Sequence, residues 1–337
     1  MSESNRRFIL RSRPEGRITS DTFELVAEPI PQIDDGQALV RTQWISIDPT
    51  NRAWIRDVPT YLPPVGIGDV MRGLGLGEVV ASKNDAYREG QLVQGLLNWQ
   101  EWAVASDAAP LLPVPDVPDV APSFFLGVLG MTGLTAWVGM NDIGRPEAGE
   151  TVVVSAAAGA VGSVAGQIAK VKGARAVGIA GGPEKCAVLT ERLGFDAAVD
   201  YKAEDWHAQL KAATPDGIDV DFENVGGEIM DAVFGRLNLR ARVALCGLIS
   251  GYNEAVLPPG PRTFSNLLRQ RVLLQGFIVL DHFGRMREAV TEIGGWIREG
   301  KLVPLETIVE GFEQLPNAVN MLFDGANTGK LVLRVAD

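Results

Sequence analysis

Thr151-Val152-Val153-Val154-Ser155-Ala156-Ala157-Ala158-Gly159-Ala160-Val161-Gly162 is a short β-branched run that ends in a turn of small residues. Residues 163–172 follow with apolar Val164, Ile168 and Val171 at helical spacing. A second apolar run, Ala176-Val177-Gly178-Ile179-Ala180, comes next. The spacing predicts a βαβ unit whose first turn admits close approach of an anion, because small residues put no bulky side chain between backbone and ligand. A helix expected from about Ala160 would aim its free N–H groups and positive dipole end at the same point. Such a unit binds the pyrophosphate of a dinucleotide. The first glycine of the usual fingerprint is Ala157 here, so the motif is A-x-G-x-x-G.

The end of the second strand bears on which dinucleotide. NAD sites place an acid there for the ribose 2′-hydroxyl. This chain has Gly181-Gly182-Pro183, with Glu184 and Lys185 following. The missing acid and the lysine favour NADP, and of the two the missing acid carries more weight.

The pattern continues outward from this unit. Strands are expected over 193–200, 217–222, 241–247 and 272–279, with helices between them, which implies a doubly wound parallel sheet. Asn224, Gly226, Cys246, Gly247 and Phe277-Ile278-Val279 then fall at the carboxyl ends of strands, where ligands bind. Residues 8–122 read instead as short strands broken by Pro, Gly and Asp, a small barrel-like domain. Five prolines between 110 and 122 mark a linker. The last strand, 329–334, comes late enough to return to the first domain. The uncharged run 123–140 carries four glycines and reads as a buried helix with its lead-in, not a membrane span.

With 337 residues, 46% hydrophobic and 22% charged, the chain can build two domains with a sizeable core. A net charge of −11 without a basic block argues against nucleic acid and against anionic membranes. Two cysteines far apart exclude a disulfide scaffold and fit a reducing compartment. No apolar run follows the first residues, so a cytoplasmic location is expected. Only Cys186, Cys246, His207 and His282 could supply soft metal ligands, and none lies before residue 186. A catalytic zinc needs about three such ligands or acids, so no metal is expected and hydride addition to an activated alkene is favoured over alcohol oxidation.

Several further strings carry a family resemblance: Ile47-Asp48-Pro49, Gly130-Met131-Thr132-Gly133, Glu223-Asn224-Val225-Gly226-Gly227, Cys246-Gly247-Leu248-Ile249-Ser250-Gly251-Tyr252-Asn253 and Asn327-Thr328-Gly329-Lys330. With the cofactor loop they resemble, in order and over nearly the whole chain, the zinc-independent medium-chain dehydrogenase/reductases. The group they resemble most is the NADPH-dependent alkenal and prostaglandin double-bond reductases, the curcumin reductase-like proteins. The resemblance implies a Rossmann domain over 126–302 and a discontinuous GroES-like catalytic domain over 1–125 and 303–337. It also implies a homodimer joined through the nucleotide domains. NADP(H) would lie on Gly159, Ala160, Val161 and Gly162, with Lys185 and Tyr201 at the 2′-phosphate. Asn224, Cys246, Gly247, Ile249, Tyr252, Phe277, Ile278, Val279 and Asn327 would line the rest of the groove. Where the mammalian members carry a tyrosine just after the Phe277-Ile278-Val279 segment, this chain has Leu280, then Asp281 and His282.

The expected reaction is hydride transfer from NADPH to the β-carbon of an α,β-unsaturated ketone or aldehyde. Tyr252 is the first candidate to hydrogen-bond the developing enolate oxygen, with a buried structural tyrosine as the competing reading. Tyr61, in a Pro-rich loop, is a weaker candidate. Trp44, Trp54, Trp99 and Trp102 fit either a pocket wall or core packing. A quinone reductase of the same superfamily and a non-catalytic nucleotide-binding protein are the competing functions.

Overall fold

A computed structural model of the chain describes residues 4–335 except 59, 116, 118, 119, 255, 257 and 258. Pro59 before the Tyr61 loop and Pro118 in the linker are thus outside the described residues. The chain divides into two compact units. One comprises Met1–Leu126, Thr307–Asn327 and Leu331–Asp337; the other comprises Gly127–Glu306 and Thr328–Lys330.

The first unit is antiparallel. β1 (Ser4–Leu10) pairs with β2 (Phe23–Pro29), and β3 (Ala38–Ile47) leads through α1 (Pro49–Trp54) to β4 (Gly75–Ser82), β5 (Leu92–Gly95), β6 (Trp102–Ala105) and β7 (Leu112–Pro113). β3 carries alternating buried residues and pairs with both β4 and β6. The core gathers Phe8, Phe23, Trp99 and Phe312: Phe8 stacks on Phe312 at 5.3 Å, and Phe23 tilts against Trp99 at 5.0 Å. Trp99 is fully buried and Trp54 and Trp102 nearly so, so core packing accounts for these three. Trp44 lies under the Arg334 guanidinium.

The second unit opens with α2 (Met131–Val138), and its strands run parallel: β8 (Thr151–Val154), α3 (Gly162–Val171), β9 (Arg175–Ala180), α4 (Pro183–Ala187), β10 (Ala197–Asp200), α5 (Trp206–Ala213), β11 (Ile218–Glu223), α6 (Gly227–Phe234), β12 (Leu237–Leu245), α7 (Ser265–Gln270), β13 (Leu273–Gly276) and α8 (Met286–Arg298). The sheet order is β10-β9-β8-β11-β12-β13. Val152, Val153 and Val154 have no exposed surface. Each such side chain contributes roughly 1.5–3 kcal/mol by burial, which holds β8 at the sheet's centre. Order reverses between β8 and β11, so the ligand crevice of a doubly wound sheet falls at their carboxyl ends.

The chain then returns. β14 (Glu306–Glu310), α9 (Leu315–Asp324) and β15 (Lys330–Arg334) follow, and β15 pairs antiparallel with β3, Leu331 opposite Ile47. The late strand therefore rejoins the first unit's sheet. Two sequence expectations need correction. The helix after the glycine turn starts at Gly162, because residues 156–161 are spent in the turn. The strand expected over 272–279 stops at Gly276, so Phe277 and Ile278 follow it in irregular chain and Val279 opens a 3₁₀ turn.

β11 also buries two carboxyls on one face, Asp221 and Glu223, both without exposed surface. Neither oxygen of Asp221 has a hydrogen-bond partner among the described residues. Burial first, and then the Glu223 charge, push the Asp221 carboxyl well above the usual range, so it keeps its proton. The folded value is raised, so the held proton stabilises the fold below about pH 4. That contribution is lost as pH rises towards the folded value. Asp221→Asn cannot ionise. Melting temperature measured from pH 5 to 8 is expected to fall less in this variant than in the unmodified protein; equal slopes would mean that Asp221 is not the group responsible.

Candidate cofactor site

The turn after β8 is built by three constraints. Ala156 adopts a left-handed φ of 48°. The Gly159 N–H donates to Ala156 O at 2.9 Å, closing the turn. A Cβ on Gly162 would stand 2.4 Å from Ala156 O and 2.9 Å from Ala157 Cα, so only glycine lets α3 start against it. Among the described residues the Ala160 and Val161 N–H groups make no hydrogen bond within the chain. They stand at the N-terminus of a ten-residue helix, a donor set suited to phosphate. Gly329 closes the other side: its N–H donates to Ala158 O at 2.7 Å, and its φ of 73° needs glycine. Further along α3, a Cβ on Gly166 would sit 1.9 Å from the Phe195 ring, so this glycine lets the helix lie close.

At the end of β9, Gly182 has φ 97° and donates its N–H to Asp200 Oδ1 at 2.7 Å. The Tyr201 ring and the Lys202 side chain lie over Gly181, within about 3 Å of where its Cβ would be. Lys185 is partly buried; desolvation, and then the Lys202 charge, lower its pKa. Two lysines are thus gathered with a phenol at a glycine turn, an arrangement that suits a doubly charged phosphate. Lys202 was missed by sequence reasoning. It follows β10, and only the β9–β10 pairing brings it beside Lys185.

At the ends of β11 and β12 the residues expected in the groove come together. Asn224 Nδ2 donates to Ser155 O at 2.7 Å. The Cys246 and Gly247 N–H groups donate to Glu223 O at 2.9 and 3.1 Å, and Ile249 N–H to Asn224 O at 3.1 Å. The Cys246 thiol is pushed up to about 12, chiefly by burial and then by the Glu223 carboxylate, so it stays protonated. Tyr252 folds back over this loop, and a Cβ on Gly247 would be 3.5 Å from its Oη. Burial raises the phenol while the Leu248 backbone pulls the other way. The Phe277 ring meets Phe222 edge-on at 6.5 Å. Tyr61, 44% exposed, and Asn327, largely buried, belong to the first unit.

Among the described residues no group of three or more His, Cys, Asp or Glu side chains is placed to hold a metal ion, and no helix is long and apolar enough to cross a membrane. The residues present fit a phosphorylated dinucleotide: a glycine cradle that a Cβ would fill, unused N–H donors above it, and two lysines one strand away.

A doubly wound sheet with this cradle, in a chain that also carries an antiparallel unit completed by its last strand, defines a dinucleotide-dependent oxidoreductase. Residues 6–114 match the family model described as the N-terminal domain of oxidoreductase, and residues 160–294 the model described as zinc-binding dehydrogenase. The chain is 45% identical to the NADPH-dependent curcumin reductase of Escherichia coli, covering 99% of this chain and 98% of that protein. It is 40% identical to prostaglandin reductase 1 of Mus musculus, over 96% and 97%. The crystal structure of CurA from Vibrio vulnificus in complex with NADPH superimposes with a TM-score of 0.93 at 42% identity, over 98% and 99%. The chain belongs to the medium-chain dehydrogenase/reductase family, among its NADP-dependent reductases.

Proposed function

We propose that this protein reduces the carbon–carbon double bond of α,β-unsaturated ketones and aldehydes. The observation that carries the reading is 45% identity over 99% of the chain to an NADPH-dependent curcumin reductase, together with an unbroken cofactor cradle. NADPH, when bound, supplies the hydride. The protein's part is positional and electrostatic. The Gly159–Gly162 turn and the start of α3 hold the pyrophosphate; Lys185, Lys202 and Tyr201 hold the 2′-phosphate. Asn224, Cys246, Gly247 and Ile249, with Phe277, Ile278 and Val279, shape the remainder of the groove. Tyr61, in the GroES-like domain read over 1–125 and 303–337, is a further candidate.

Addition at the β-carbon moves negative charge to the substrate's carbonyl oxygen. A donor aimed there binds the transition state better than the ground state. Tyr252 is the donor in this reading, its phenol kept neutral by burial. Its loop packing also suits a structural role, so the two must be separated by measurement. Tyr252→Phe is expected to lower kcat on an enone roughly tenfold to a thousandfold, by analogy with loss of one oxyanion donor, with NADPH affinity little changed. Normal turnover with a lower melting temperature would make it structural.

The reading is tested by following NADPH consumption with a panel of 2-alkenals, cyclic and linear enones, and quinones. Turnover is expected on the alkenals and enones. Quinone reduction without any enone reduction would replace this function with the quinone reductase alternative.

The same reading includes a homodimer and a cytoplasmic location. β13 is the last strand of its sheet, with all four residues exposed, including Leu273 and Leu274. Leu268 at 83% and Phe264 at 61% exposure flank it. An open apolar strand edge invites pairing with a second copy. Leu274→Arg is expected to convert a dimer to monomer in sedimentation; a monomeric unmodified protein would remove the proposal. Cys186 and Cys246 are free thiols, as a reducing compartment allows.

A further inference from the structure

Ser155 is the first residue past β8, and Glu223 is the last residue of β11. Between these two strands the sheet order reverses. Both side chains are fully buried. Ser155 Oγ donates to Glu223 Oε1 at 2.8 Å, crossing the crevice floor. The same carboxylate oxygen accepts the N–H groups of Val225 at 2.5 Å and Gly226 at 2.9 Å. Ser155 Oγ accepts the Asn224 N–H at 2.7 Å, and Ser155 O accepts Asn224 Nδ2 at 2.7 Å. The Glu223 main-chain oxygen takes Cys246 and Gly247. One hydroxyl and one carboxylate therefore set the places of Asn224 and of the turn 224–226, beside the loop that begins at Cys246.

The sheet itself does not require these side chains. β11 pairs with β8 and β12 through main-chain bonds, in register up to Glu223 opposite Leu245. Taking a carboxylate out of water is costly unless donors replace the water, and an apolar residue of like volume would serve packing as well. Three convergent donors on one oxygen direct a turn; they do not fill a core.

We infer that Glu223, hydrogen-bonded to Ser155, is a positioning residue for NADPH: it touches no reacting atom, and it holds the Asn224–Gly226 turn and the start of the Cys246 loop in the shape that receives the cofactor. The inference rests on the reading of this groove as the NADPH site.

The test compares Ser155→Ala, Glu223→Ala and Glu223→Gln with the unmodified protein. NADPH dissociation constants are read by fluorescence titration without substrate, alongside melting temperature and steady-state kinetics. Ser155→Ala loses one donor to the carboxylate and one acceptor for Asn224, and is expected to weaken NADPH about tenfold. Glu223→Ala is expected to weaken it further. Glu223→Gln keeps the accepting oxygen and is expected to recover most of that loss. KM for NADPH should rise more than kcat falls. Should Glu223→Ala not fold, Ser155→Ala and Glu223→Gln still decide. NADPH binding unchanged in Ser155→Ala would overturn the inference. So would a loss in Glu223→Gln as large as in Glu223→Ala, since only the charge and not the geometry would then matter. Failure of the unmodified protein to bind NADPH would instead take down the groove's reading, and the inference with it.

Discussion

Gly162→Val is expected to weaken NADPH binding about a hundredfold or more, equivalent to ~2.7 kcal/mol. Two effects oppose each other. A Cβ at a helical position gains roughly 0.5–1 kcal/mol of propensity over glycine. Here that Cβ would lie 2.4 Å from a backbone oxygen and 2.9 Å from the Ala157 Cα. Backbone cannot rotate away as a side chain can, so the turn itself must move, at roughly 1–3 kcal/mol for overpacking. The displaced turn carries the Ala160 and Val161 N–H groups away from the anion they would serve. A control separates position from residue type. Gly295 lies in α8 and a Cβ there meets nothing within 4 Å. Gly295→Ala should leave NADPH affinity alone and raise stability by up to ~1 kcal/mol. Titration calorimetry on both variants, with thermal melting, checks the pair; unimpaired NADPH binding by Gly162→Val would disprove the cradle.

The second large effect lies at the other end of the cofactor. Lys185→Ala is expected to weaken NADPH roughly ten- to a hundredfold, the worth of a charge-assisted hydrogen bond. The double variant Lys185→Ala/Lys202→Ala should lose more, and NADH should be almost unaffected by either. The sign with pH follows from the pair. Burial and then Lys202 lower the Lys185 pKa, so its charge is lost earlier on the alkaline side than that of an ordinary lysine. NADPH affinity should therefore decline with rising pH through that lowered value, while NADH affinity should not. Added salt should erode the NADPH preference, because partly exposed charges are screened. Equal affinities of the unmodified protein for NADPH and NADH would sink the assignment.

Much of this was legible in the chain itself. The β-branched run, the small turn and the apolar helix face of residues 151–172 dictate a buried parallel strand and a crossover. The same rhythm repeated to residue 276 dictates the doubly wound sheet. The missing acid at the end of β9 indicates NADP because charge and hydrogen-bonding type are properties of residues, not of packing. The strand limits were less legible. Phe277-Ile278-Val279 is as apolar as a strand, yet β12 has already ended at Leu245 and offers no further partner beyond Gly276.

What only the tertiary structure decided is everything that depends on distant residues meeting. Lys202 joins Lys185 because β10 lies against β9. Gly329 reaches Ala158 although 171 positions separate them in the sequence. The Ser155–Glu223 bond spans 68 residues. Asp221 could be known as an acid in a strand, but its lack of a hydrogen-bond partner among the described residues is a property of the packed sheet. Local pattern determines which residues form strands and which way each face points, since that is set by the period of the backbone. Which strand ends are neighbours, and so which donors converge on one acceptor, follows from the order in which the sheet is assembled.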